Sequence, residues 1–195
     1  MALIKSTEGA HYPSLFGKFM LTAFQDQVSG SQIPVLYKNN INNSQNLLVR
    51  IQSKCIGDVF SAYRCDCREQ LEMSLAQIEK EQIGMLIYLD QEGRGIGLSN
   101  EILAWELQDH SNQDTVQANA TLNLPTDLRA YNAVKEILQY YNIKSIRLMT
   151  NNPAKVNAIK QLGINISSIM PVVATANEHN FKFMETLRVK LKHKL

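Results

Sequence analysis

The chain has 195 residues, 45% of them apolar, and a formal net charge of +2. That apolar share can bury a core and excludes a disordered chain, and so small a net charge gives no argument for nucleic acid as a partner. No run approaches the ~20 apolar residues that cross a bilayer, and the opening MALIKSTEGAHYP lacks an apolar stretch of secretory length, so the expectation is a cytoplasmic protein without membrane contact.

In chain order, GKFMLTAF, IPVLYK and NLLVRI read as strands separated by polar turns, with no helix in the first fifty residues. From Glu69 the period changes: Leu71, Leu75 and Ile78 stand at helical spacing, and Gly84 then introduces the strand-like MLIYL. The segment DQEGRGIG reads as a loop. Ser99 is the expected cap of a following helix with Ile102, Leu103 and Leu107 as its inward stripe, and SNQDTVQANATLNLP reads as a polar connection. Thr126 or Asp127 is placed to cap LRAYNAVKEILQYY, with Ala130, Val134, Ile137, Leu138 and Tyr141 on one face. SIRLMT is a strand. In NNPAKVNAIKQLG, Asn151 or Asn152 can cap, Pro153 suits the first turn and Gly163 the position past the end. INISSIM is the last strand, and the basic FKFMETLRVKLKHKL reads as a solvated terminal helix in a weakly patterned tail. N-terminal antiparallel strands followed by alternating helices and strands predict a mixed α/β fold, one domain over residues 1–195.

The three cysteines, Cys55, Cys65 and Cys67, cannot all pair within one chain. In an extended segment Cys65 and Cys67 would point to one side and Asp66 to the other, so that both sulfurs, with Cys55 as a third, could hold a zinc ion and leave a position open for water. A redox pair and two buried thiols are the other readings. Arg64 and Arg68 flank the pair and would favour thiolates.

The ordered motifs CIGDVFSAYRCDCREQLE, YLDQEGRGIGL, LQDHSNQDTVQAN, LPTDLRAY and LMTNNPAKV resemble the GTP cyclohydrolase II family, most strongly over residues 47–171. The resemblance implies a zinc enzyme of riboflavin biosynthesis that opens the imidazole ring of GTP, releases formate and pyrophosphate, uses magnesium with the triphosphate, and forms a homodimer. The family also occurs fused to dihydroxybutanone phosphate synthase, for which this chain is too short. The resemblance implies Cys55, Cys65 and Cys67 as zinc ligands. It implies Arg50, Ile51, Gln52, Ser53, Lys54, Gln70, Glu92, Gly93, Arg94, Thr115, Thr150 and Lys155 as the residues that hold GTP. Chemically, Glu92 can accept from the guanine N–H groups, and Arg94 and Lys155 can offset phosphate charge. Asp127 and Arg129 match the family's proton acceptor and its proposed nucleophile. An arginine stays protonated, however, and suits a phosphate clamp better.

Four departures fall at the same place. Gln52-Ser53-Lys54 stands where the family reads His-Ser-Glu, and the segment between Cys55 and Gly57 is one residue shorter. Arg68 replaces a glycine, and Trp105 replaces a tyrosine that assists the chemistry at C8. An indole has no ionisable hydroxyl, so Trp105 either stands in an altered site or packs in its helix's core. Three activities are therefore expected candidates: ordinary GTP cyclohydrolase II action, a divergent enzyme that stops at a formylamino-pyrimidine or takes another purine nucleotide, and a catalytically silent nucleotide binder.

Overall fold

The structure, a computed structural model, describes residues 3–5, 7–27 and 30–195. Among the described residues eight strands form one sheet: β1 (Leu3–Lys5), β2 (Ala10–Ser14), β3 (Gly17–Asp26), β4 (Gln32–Lys38), β5 (Leu47–Ser53), β6 (Gly84–Leu89), β7 (Ile146–Met149) and β8 (Ile166–Met170). Their order is β1-β3-β4-β6-β5-β7-β8, with β2 also paired to β3. The half up to β4 is antiparallel, as is the β4–β6 pair, whereas β5 runs parallel to β6 and β7, and β7 to β8. The expected mixed α/β architecture is present.

Parallel strands need crossovers, and here these are helical. They are α1 (Ile56–Phe60), α2 (Cys67–Glu81), α3 (Leu98–Ser111), α4 (Thr115–Thr121), α5 (Asn132–Tyr140) and α6 (Pro153–Gln161), with α7 (Phe181–Val189) following the last strand. Helices cover both faces of β5, which is why LLVRIQS is buried almost throughout. Its alternation sends Leu47, Val49 and Ile51 into the core under α5 and α6, and Leu48 into the core under α2. Arg50 and Gln52 share the Leu48 side, toward the site.

Local signals explain α6 well. The Asn152 side chain accepts from the Ala154 and Lys155 amides, Pro153 sits at the first position, and Gly163 adopts φ +79° just past the end. In α5, Val134, Ile137, Leu138 and the following Tyr141 are buried at i, i+3, i+4 and i+7. Val134, Ile137 and Leu138 each contribute roughly 1.5–3 kcal/mol of burial.

Several expectations need correction. α5 starts at Asn132, so neither Thr126 nor Asp127 caps it, and Ala130 lies outside it, exposed. The Asp127 carboxylate instead accepts from the Arg129 amide and guanidinium. Helix α3 begins with Gly97 at its cap position and Ser99 inside its first turn. Ile102 and Leu103 are exposed and only Ala104 is buried, because the side that faces the protein carries Glu101, Trp105 and Gln108. The supposedly polar connection contains α4, closed by a capping box in which Asp114 accepts from Val116 and Gln117 while Gln117 accepts from the Asp114 amide. Finally, α7 is not simply solvated: Met184, Thr186 and Leu187 are buried.

Candidate active site

In open parallel sheets, ligands sit beyond the carboxyl ends of the strands. Here Lys54 and Cys55 follow β5, Glu92–Arg94 follow β6, and Thr150–Lys155 follow β7. All of these loops open into one cavity of ≈ 720 Å³, to which α3, α4 and α7 also contribute.

One region of the cavity is sulfur-lined. The Sγ atoms of Cys55 and Cys65 lie 3.8 Å apart, and all three cysteine sulfurs lie within 4.8 Å of one another, none in a disulfide. A tetrahedral zinc with Zn–S of about 2.3 Å requires sulfurs about 3.8 Å apart, so the donor set fits that ion. The convergence does not come from an extended segment, as expected. Cys65 lies in a turn and Cys67 is the first residue of α2, while Asp66 points inward and is buried, accepting from Gln70. Hydrogen bonds from the Cys55 and Cys67 thiols hold Cys65 down to about 4. Contact with Cys65 pushes Cys55 up to about 11, and contact with Cys55 and then Cys65 pushes Cys67 well above the thiol range. A cation among the sulfurs is what would let all three ionise together. Gly57 makes the crowding feasible, since a Cβ there would stand 2.6 Å from the Cys65 sulfur.

The flanking arginines do not serve the thiolates. Arg64 pairs with Asp109 at 2.9 and 3.1 Å and lies over the Trp105 ring, and Arg68 bonds Glu72 at 2.6 Å and the Asp58 carbonyl at 2.9 Å. Trp105 is not in a core. It lines the cavity one helical turn from Glu101, whose carboxyl is pushed up by burial and whose Oε2 has no hydrogen-bond partner.

The other region is cationic. Arg50, Arg94, Arg129 and Lys155 all line the cavity, and each of the other three feels the charge of Arg129. Arg50 is buried with neutral acceptors only: Gln52 Oε1 at 2.7 and 2.9 Å, Gln70 Oε1 at 2.6 Å and the Met149 carbonyl at 3.2 Å. Burial lowers it to about 10. Lys155 donates to the Ile51 carbonyl at 2.8 Å and is driven well below the ordinary lysine value, first by burial and then by Arg50 and Arg129. Burial, the largest single influence, would lower Arg129 and raise Asp127, but their mutual hydrogen bonds and charge attraction together outweigh it in both. Arg94 reaches the cavity from a left-handed backbone (φ +56°) next to Gly93 (φ +60°) and stacks over Phe183.

Gln52 links the two regions. Its Oε1 accepts from Arg50, while its Nε2 donates to Asp58 at 3.4 Å and to the Cys67 carbonyl at 3.3 Å. Glu92, buried, accepts from the Ile56 amide at 3.1 Å and so fixes the chain just after Cys55.

Among the residues implied to hold GTP, Arg50, Gln52, Ser53, Lys54, Gln70, Glu92, Gly93, Arg94, Thr115, Thr150 and Lys155 line the cavity. Ile51 does not: its side chain is in the core and only its carbonyl serves, holding Lys155. Asp127 stands behind Arg129 and is not itself a lining residue. Sequence reasoning missed Glu101, readable only as the residue one turn before Trp105, and the lining contributed by α7.

The family pattern described as GTP cyclohydrolase II matches residues 5–171. The chain belongs to the GTP cyclohydrolase II family. It is 40% identical over 183 residues to GTP cyclohydrolase-2 of Acinetobacter baumannii (strain SDF), covering 93% of this chain and 91% of that protein. The same identity over 191 residues relates it to GTP cyclohydrolase-2 of Saccharophagus degradans, covering 97% of this chain and 95% of that one. It is 39% identical to the riboflavin biosynthesis protein RibBA of Endomicrobium trichonymphae, of which it spans only 45%. The family match reaches further toward the N-terminus than the five motifs and so includes β2–β4.

Proposed function

We propose that this member of the GTP cyclohydrolase II family is a zinc-dependent hydrolase of riboflavin biosynthesis that opens the guanine imidazole ring of GTP. It releases formate and pyrophosphate and leaves 2,5-diamino-6-(ribosylamino)-pyrimidinone 5′-phosphate. The observation that carries this reading is the joining, in one cavity, of three sulfurs within 4.8 Å of one another and four cations. Zinc held by Cys55, Cys65 and Cys67 supplies Lewis acidity and lowers the pKa of water toward ~7.

The chain's own residues do the rest. Arg50, Arg94, Arg129 and Lys155 bind the triphosphate, which magnesium accompanies, and so relieve their mutual repulsion. Asp127 keeps Arg129 charged and aimed, making it a clamp rather than an attacking group. Glu92 has one oxygen on the Ile56 amide and offers the other to the guanine edge. Glu101 lines the cavity near the sulfur region, where it feels the charge of Cys55.

The indole favours a second reading. No phenol stands at position 105, and proton-transfer groups contribute roughly 10²–10⁴-fold, so deformylation could stall at a formylamino-pyrimidine. Zinc-loaded protein incubated with GTP and magnesium, with products identified by mass and formate assayed separately, decides between them. Stoichiometric formate is expected, whereas a product that retains the formyl carbon would establish the stall, and Trp105→Tyr should then restore formate release. Binding of GTP with no change in purine absorbance would sink both readings and leave a silent binder.

A homodimer is part of the proposal, supported by the apolar residues Val59, Phe60 and Tyr63 at 63–75% exposure. Light scattering should give twice the chain mass. Among the described residues no helix is long and apolar enough to cross a membrane.

A further inference from the structure

The cavity has a roof that the family match, ending at residue 171, does not include. Helix α7 lies over α4 and is tied down by Lys190 to Asp114 and by Lys182 to Asn112 at 2.9 Å. Past its end the chain turns back toward the β7 loop. The His193 amide donates to the Leu187 carbonyl and the Lys194 amide to the Asn151 carbonyl, each at 3.0 Å. This turn brings the His193 imidazole into the cavity lining beside Arg94, Arg129 and Lys155.

We propose that His193 is a phosphate-binding residue, delivered by the C-terminal segment, that takes a proton from solvent when the polyphosphate of the nucleotide enters and returns it on release. The inference rests on the reading of the cavity as a GTP site.

The charged groups that face the imidazole are Arg94 from the turn after β6, Asp127 and Arg129 from the segment before α5, and Lys155 from α6. Three cations against one carboxylate make a positive charge on the ring unfavourable. Burial first, and then those cations, hold His193 down to about 4. It is therefore neutral near pH 7 in the free protein. A polyphosphate reverses the sign of the local field, so the imidazolium becomes the favoured form and adds a charge-assisted hydrogen bond. Affinity gained this way is fully present below the imidazole's pKa in the free protein, declines above it, and is lost as pH rises through the pKa in the complex.

The experiment is calorimetric titration of the zinc-loaded protein with inorganic pyrophosphate and, separately, with guanosine, in buffers of different ionisation heat. His193→Gln is titrated alongside, so that the ligand's own protons cancel in the difference. Wild type should take up more protons per pyrophosphate than His193→Gln. It should also bind about tenfold more tightly near pH 6, with the advantage shrinking toward pH 8, while guanosine binding is the same in both. Equal proton uptake and equal pyrophosphate affinity in the two proteins would overturn the role of His193 and leave the GTP reading standing. A wild type that binds neither pyrophosphate nor, in a third titration, GTP would overturn both.

Discussion

The two regions of the cavity pose opposite electrostatic problems. Around Cys55, Cys65 and Cys67 three acids compete so strongly that the first to ionise drives the other two up. Around Arg50, Arg94, Arg129 and Lys155 cations are gathered with one directly bonded carboxylate, Asp127. Neither arrangement helps the fold by itself, because like charges held together and out of water cost stability. The difference teaches what each is for: one is shaped for a cation and the other for a polyanion, and Gln52 bonds to both.

The comparison breaks most severely at sulfur. Cys67→Ser should bring zinc, expected at about one per chain, to background in elemental analysis and turnover with it. A variant that kept both would refute the three-thiolate site. At the cationic region, Lys155→Met should weaken GTP binding by roughly 10–100-fold, read as KM or by titration. The same change should raise the thermal midpoint of the ligand-free protein at neutral pH. The sign follows from linkage: a lysine whose folded pKa lies below its unfolded value penalises the fold below the unfolded pKa of about 10.4, and the penalty disappears above it. The stability advantage of Lys155→Met should therefore vanish near pH 11.

Gln52→Leu tests the link between the regions. It strips the buried Arg50 of an acceptor that takes two of its hydrogen bonds, and should cost about 1.5–3 kcal/mol in urea unfolding, with looser metal retention. Unchanged zinc affinity would show that the regions are independent. The smallest effect is expected from Asp114→Ala, which removes the α4 capping box and the Lys190 ion pair that holds the roof. It should cost about 1 kcal/mol of stability and leave zinc content unchanged.

What was legible in the sequence was whatever local chemistry decides. The β3 to β8 strands, the α2 stripe and both ends of α6 follow from alternation, helical spacing and the Asn152, Pro153 and Gly163 signals. Where local cues admit two answers, the tertiary environment chose. Asp127 could cap a helix or hold Arg129, and it holds Arg129. Ile102 and Leu103 could point inward, but the protein side of α3 is the wall of a polar cavity. The capping box Asp114–Gln117 was readable and was hidden only by the polar composition around it. At the site, the motifs gathered nearly all of the implied residues, and strand alternation at β5 explains why Ile51 stands apart from Arg50 and Gln52. The roof had no sequence signature, because His193 acquires its surroundings only through the turn after α7.

The close approach of Gly57 to the sulfurs bears on how this turn can vary. With Ile56 alone between Cys55 and Gly57, the chain passes so near the Cys65 sulfur that only hydrogen can occupy the side-chain position of residue 57. In a library randomised at Ile56, Gly57 and Asp58 and selected for metal retention, diversity should survive at the first position while the second returns glycine almost without exception.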